Sequence, residues 1–284
     1  MADNYLENKY EEFKAQQLAR KSAARKVVYR THPDCIEVNF PPRRVFVTGG
    51  ANGIGRAIVA AFRKANCQVA FCDIDSKAGN ATAQQLGARF YPLDVTDTSA
   101  LEQCLADIVA LWGDVDVIIN NVGVGEFKPL EDTTIDDFNH LIAVNLRPVF
   151  VTSRFMAIHR RSLPQIPGYG RIVNICSTRY LMSEPGTIGY SASKGAVAAI
   201  THSLMASMSG VNVTVNAISP GWIQTIGYEA LTEADHAQHP SRRVGKPDDI
   251  ANVCLFLCRP DSDFINGENI VVDGGMTRKM IYVE

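Results

Sequence analysis

The side chains in this 284-residue chain best suited to chemistry are Ser177, Tyr190 and Lys194. Tyr190 and Lys194 bracket the run Tyr-Ser-Ala-Ser-Lys, so on a helix they share one face, a turn apart. A phenol has a resting pKa of about 10, and a fixed ammonium beside it favours the phenolate. Such a tyrosine is expected to titrate nearer neutral pH and to serve as a general acid/base. Ser177 ends an apolar run that reads as a strand and can hydrogen-bond the same oxygen. Together the three suit moving a proton on and off an alcohol. The spacing alone also describes a half-buried tyrosine beside a lysine that snorkels to water, so the setting decides.

That setting is an alternation of strands and helices starting at Arg44. Strands are expected at 45–47, 69–72, 88–92, 115–120, 171–176, 211–218 and 269–272. Helices are expected at 53–65, 76–86, 98–112, 136–160, 188–209 and 247–257. Short apolar strands separated by helices predict an α/β fold, a doubly wound parallel sheet of the Rossmann type. One such domain accounts for 43–284, and residues 1–42 form an N-terminal extension. In that extension an amphipathic helix is expected from Asp3 to about Lys26. A basic cluster (Arg20, Lys21, Arg25, Lys26, Arg30) and then Pro33, Pro41 and Pro42 follow. This arm either packs on a neighbouring subunit or is solvated.

Between the first strand and helix the run Thr48-Gly49-Gly50-Ala51-Asn52-Gly53-Ile54-Gly55 places glycines where backbone must approach a ligand closely. It ends at a helix N-terminus, whose free N–H groups and dipole favour a diphosphate. Asp73 ends the next strand, 20 residues past Gly53, where a carboxylate can accept hydrogen bonds from adenosine ribose hydroxyls and repel a 2′-phosphate. NAD is therefore expected over NADP. Asp75 is a rival for the role and reads as a solvated loop acid.

Formal net charge is −2, giving no reason to expect nucleic acid or an anionic membrane as partner. No apolar run is expected to reach the roughly 20 residues of a spanning helix. The polar N-terminus does not read as a secretory signal. The seven cysteines include no C-x-x-C pair and predict reduced, buried thiols in a cytoplasmic protein, with no metal site.

With these pieces in one order the chain resembles the short-chain dehydrogenase/reductase family over about residues 43–276. The motifs are the glycine run 48–55, Asn120-Asn121-Val122-Gly123 (valine where the family has alanine), Val144-Asn145-Leu146, and Ser177 thirteen residues before Tyr190. The Pro-Gly run 220–225 and the C-terminal stretch 267–275 also match. The resemblance implies a secondary alcohol oxidised, or a ketone reduced, against NAD(H). It makes Tyr190 the acid/base, Lys194 its tuner and a ribose ligand, Ser177 the holder of the substrate oxygen, and Asn145 a member of a proton relay. It places Gly49, Asn52, Gly53, Ile54, Gly55, Asp73, Asp94, Val95, Asn121, Gly123, Pro220, Gly221, Ile223 and Thr225 around the dinucleotide. It also implies a homo-oligomer, a dimer or tetramer. Alternatives are an NADPH-dependent carbonyl or 3-oxoacyl reductase and a non-catalytic dinucleotide-binding protein.

The substrate is expected to meet the segment after Ser177 (Thr178, Arg179, Tyr180, Met182, Glu184) and the stretch 224–242. The latter is polar, with Glu229, Glu233, Asp235, His236, His239, Arg242 and Arg243. That favours a small polar alcohol, polyol or sugar over a steroid. His236 and His239 read as loop-surface residues. Arg179 and Glu184 can bind a substrate carboxylate or hydroxyl, or pair with each other.

Overall fold

A computed structural model describes Glu12, Lys14, Ala15 and residues 40–280. The chain divides into two compact units, Met1–Asn39 and Phe40–Glu284. In the first, Glu12, Lys14 and Ala15 are helical; the rest of the expected arm, with its basic cluster, lies outside the described residues, as does the tail beyond Met280.

The second unit is built on seven parallel strands: β1 (Arg44–Thr48), β2 (Gln68–Asp73), β3 (Arg89–Pro92), β4 (Val117–Asn120), β5 (Arg171–Ile175), β6 (Thr214–Pro220) and β7 (Asn269–Val272). Their order is β3-β2-β1-β4-β5-β6-β7. Winding runs outward from β1 in one direction and from β4 in the other, which opens a crevice between these two strands at their carboxyl ends. Every connection is a helical crossover, as parallel pairing requires.

Alternation along the strands supplies both faces. Val45 and Val47 point into one buried cluster with Ile58, Phe62, Ile250 and Leu257, carried by α1 (Gly53–Lys64) and α8 (Pro247–Leu257). Phe46 points to the other, against Leu101, Leu105 and Ile108 of α3 (Thr98–Trp112) and Met156 of α5 (Arg147–Ser162). Asp75 caps α2 (Ser76–Leu86), its side chain accepting from Ala78 N–H at 2.9 Å. Its role is thus local: it satisfies a helix end, with Ser76 the first helical residue.

The single helix expected over 136–160 is two helices, α4 (Ile135–Asn145) and α5, broken at Leu146 (φ −112°, ψ −47°). Pro148 is the cause, since it has no N–H for the ladder. Val149 N–H then bonds the Leu146 carbonyl at 3.1 Å, releasing the Asn145 carbonyl from its usual helical donor. The span Ile135–Ser162 is, by length and composition, long and apolar enough to cross a membrane, contrary to the sequence expectation; half of its apolar window is buried in this unit.

At the opposite end of the sheet from the crevice lies an ion-pair network. Arg44, at the start of β1, holds Asp116 with Nε (2.9 Å) and Nη2 (2.8 Å), and Asp116 also accepts Arg44 N–H at 2.9 Å. Asp114 is shared by His159 (2.9 Å), the fully buried Arg160 (3.3 Å) and Arg44 (3.5 Å). Among the described residues six cysteines are free and buried.

Candidate active site

A cleft of about 1100 Å³ opens at the carboxyl ends of the strands, across the β1/β4 crevice. Every residue expected around the dinucleotide lines it, as do Ser177, Tyr190 and Lys194. Asn145 does not; it is 1% exposed and sits beneath the cleft wall.

The glycine run fits close backbone approach. Gly49 and Gly53 have φ of +68° and +54°, the left-handed region that favours glycine. A Cβ on Gly55 would come 1.9 Å from the Gly49 carbonyl oxygen, so the loop and the first turn of α1 close only with glycine there. Thr48 Oγ1 accepts from Asn121 N–H (3.0 Å) and Val122 N–H (3.2 Å), and the Asn121 amide donates to the Thr48 and Gly49 carbonyls. The Asn121 side chain therefore braces the loop, although the residue itself lines the cleft. Asp73 accepts Ala51 N–H at 3.0 Å and Asp75 N–H at 3.0 Å, fixing a carboxylate at the cleft edge. A backbone cradle at a helix N-terminus, with an acid at the end of the neighbouring strand, fits a dinucleotide with free ribose hydroxyls.

At the other end of the cleft, β5 delivers Ser177 and α6 (Ile188–Ser207) delivers Tyr190 and Lys194. Lys194 is buried and donates to the Ile175 carbonyl at 2.9 Å. Its ammonium lies 5.7 Å from the Tyr190 ring centroid. Burial pushes the Tyr190 phenol above its ordinary value, opposed by a hydrogen bond with Ser177 and by the charge of Arg179. This reverses the lowered phenol expected from the helix spacing: the lysine's hydrogen bond goes to backbone, and desolvation wins.

Asn145 accepts Val124 N–H (2.8 Å) and donates to the Val124 carbonyl (2.9 Å) and to Ser193 Oγ (3.0 Å). Ser193 Oγ in turn donates to the Tyr190 carbonyl at 2.7 Å. Ser193 was not singled out from sequence, yet a buried serine on the Tyr190/Lys194 face of one helix was the signal available. His239 corrects an expectation: it is 1% exposed, beside Trp222 and the Gly274-Gly275 turn. His236 accepts Val244 N–H at Nδ1 (3.1 Å), and the Tyr228 hydroxyl donates to the Val244 carbonyl (2.8 Å). The polar stretch is thus a folded flap around α7 (Glu233–Ala237).

Burial drives the Lys194 ammonium down to about 8 from 10.5. Between those values the unfolded chain holds the extra proton, so this residue's contribution to stability rises with pH. Lys194→Met, which buries no charge, should be more stable than the parent near pH 7, with the difference shrinking as pH rises through that window. Urea unfolding at several pH values reads this; a pH-independent difference would contradict it.

Comparison with known proteins agrees with this geometry. A family model described as enoyl-(acyl carrier protein) reductase matches residues 49–277. A Thermotoga maritima protein named "Uncharacterized oxidoreductase" is 40% identical over 252 residues, 84% of this chain and 97% of that one. Gluconate 5-dehydrogenase of Gluconobacter oxydans is 30% identical over 87% of this chain and 98% of its own. A crystal structure of a gluconate 5-dehydrogenase from Burkholderia cenocepacia, in complex with NADP and tartrate, superposes with a TM-score of 0.75. It is 28% identical, over 84% of this chain and 96% of that one. The chain belongs to the short-chain dehydrogenase/reductase family. It is an NAD(P)-dependent oxidoreductase, and its doubly wound sheet is the fold of that family.

Proposed function

We propose that the protein is an NAD-dependent dehydrogenase oxidising the secondary alcohol of a small polar compound, a polyol or sugar. The observation that carries this is one cleft holding the Asp73 carboxylate at one end and Ser177, Tyr190 and Lys194 at the other. The bound dinucleotide supplies the hydride acceptor. Ser177 holds the alcohol oxygen, and Tyr190 takes its proton in oxidation or returns it in reduction. Lys194 has three N–H donors; the Ile175 carbonyl takes one, leaving others for the nicotinamide ribose. Asn145 keeps the Val124 segment and Ser193 in place beneath the tyrosine, and its freed carbonyl serves the relay that carries the proton away from Lys194. The glycine run and the Pro220-Gly221, Ile223 and Thr225 backbone hold the diphosphate and carboxamide. Asp94 and Val95 meet the adenine.

The Burkholderia relative holds NADP, so coenzyme choice is the sharpest test. A carboxylate at Asp73 accepts from ribose hydroxyls and repels a phosphate ester. Calorimetry should give NAD a Kd roughly tenfold or more below that of NADP, about 1.4 kcal/mol. Equal or tighter NADP binding would overturn the coenzyme assignment and favour a carbonyl reductase.

A further inference from the structure

We propose that His236, with its imidazole neutral, is a positioning residue for the coenzyme: it holds the strap 242–246 against the segment 222–225, and the grip loosens when the imidazole gains a proton. The chain of contacts is short. His236 Nδ1 accepts the Val244 N–H at 3.1 Å, so this nitrogen carries no proton. Val244 is fully buried, while His236 is half-buried and open to solvent. The next residue, Gly245, forms a parallel bridge with Ile223. Gly245 N–H donates to the Trp222 carbonyl at 3.1 Å, and the Gly245 carbonyl accepts Gln224 N–H at 3.0 Å. A Cβ on Gly245 would lie 2.3 Å from Ile223 Cδ1, so strap and segment are in close contact. Ile223, Gln224 and Thr225 line the cleft, as do Tyr228 and Lys246.

The two sides of Val244 are held differently. Its carbonyl accepts from the Tyr228 hydroxyl (2.8 Å) and from Arg243 Nη1 (3.4 Å), whereas among the described residues the acceptor for its amide is His236. An imidazolium carries N–H on both nitrogens. Protonation therefore sets donor against donor and leaves a buried amide unpaired, which is costly. The titratable and charged groups around the imidazole come from four places. The Tyr228 ring lies 5.6 Å away, on the turn Tyr228–Ala230. Glu233 and Asp235 are on α7 itself. Arg243 on the strap is bound to Asp249 of α8 at 2.6 and 2.7 Å, and the Lys246 ammonium lies 4.3 Å over the Tyr228 ring. Asp235 favours the imidazolium, although its carboxylate is occupied by Thr232 N–H (2.8 Å) and Oγ1 (2.7 Å); the two cations oppose it. His239 turns its ring to Trp222 instead. Histidine is the side chain that ordinarily changes charge between about pH 5 and 8, so the contact with Val244 depends on pH.

Two readouts test this from about pH 8 to about pH 5.5: hydrogen exchange at the Val244 amide, and calorimetric binding of NAD and of NADP. In the parent, the Val244 protection factor, which divides out the intrinsic rate, should fall roughly tenfold or more across that range. The coenzyme Kd should rise roughly three- to tenfold with it. His236→Asn places a carbonyl oxygen where Nδ1 stands, an acceptor that does not titrate, and should keep the Val244 protection level. His140 and Lys194 also line the cleft; any charge they gain acts in both proteins alike, so the difference between parent and variant is what counts. His236→Leu should show at pH 8 the weak protection and weak coenzyme binding of the parent at acid pH. The same pH dependence in the parent and in His236→Asn would overturn the proposal. So would a loss of Val244 protection with no change in coenzyme Kd, which would make the contact merely structural.

Discussion

Tyr190→Phe is expected to lower kcat/KM for alcohol oxidation about 1,000-fold, within the range for loss of a positioned acid/base. The substitution removes one oxygen and little else. The ring keeps its place 6.3 Å from Phe127, Lys194 keeps its bond to the Ile175 carbonyl, and Asn145 and Ser193 bond to backbone groups that the change does not touch. Dinucleotide affinity should therefore change far less than turnover, and the split between the two is diagnostic. Initial rates at saturating coenzyme, with coenzyme binding followed by fluorescence, separate them. A variant as active as the parent would remove Tyr190 from the chemistry.

Asp116→Ala is expected to cost about 3 kcal/mol of stability, near the lower end for breaking a buried pair, or about 6–12 °C in Tm for a domain of this size. Arg44 reaches Asp116 through three separate bonds, from the main-chain N–H, Nε and Nη2. Burial would raise the Asp116 carboxyl, but the Arg44 bonds outweigh it and hold it below its ordinary value. By linkage this contribution is present above the ordinary carboxylate pKa and is lost as pH falls through the lowered one. Removing the acid leaves the Arg44 guanidinium with the Trp112 carbonyl at 3.1 Å and Asp114 at 3.5 Å. The network is at the far end of the sheet from the cleft, so thermal unfolding should shift while coenzyme affinity holds. An unchanged Tm would show that water compensates the lost pair.

The parts of this site written in short sequence spacings were legible before any coordinates. The glycine run, Asp73, and the Ser177, Tyr190 and Lys194 set depend on local geometry: a turn that closes with glycine, a strand end, one face of a helix. All of them line one cleft. What sequence misread depends on burial or long-range partners. The lowered phenol assumed that the Lys194 ammonium would serve Tyr190, whereas the ammonium meets a carbonyl of the adjacent strand. Asn121 lines the cleft as expected; what spacing did not show is that its amide braces carbonyls more than 70 positions away in the chain. His239 looked exposed because its neighbours in sequence are polar; the Gly274-Gly275 turn that covers it comes from the C-terminal end. The break at Leu146 had a visible signal in Pro148, which the apolar periodicity around it masked.

The decisive measurement is NADH formation by the purified chain with NAD against a panel of polyols, sugars and hydroxy acids, run beside Tyr190→Phe. Turnover of at least one of these alcohols, lost in the variant, is the predicted result. No turnover of any of them, with NADH bound but unused, would contradict the dehydrogenase assignment and make the cleft a dinucleotide-binding site without chemistry.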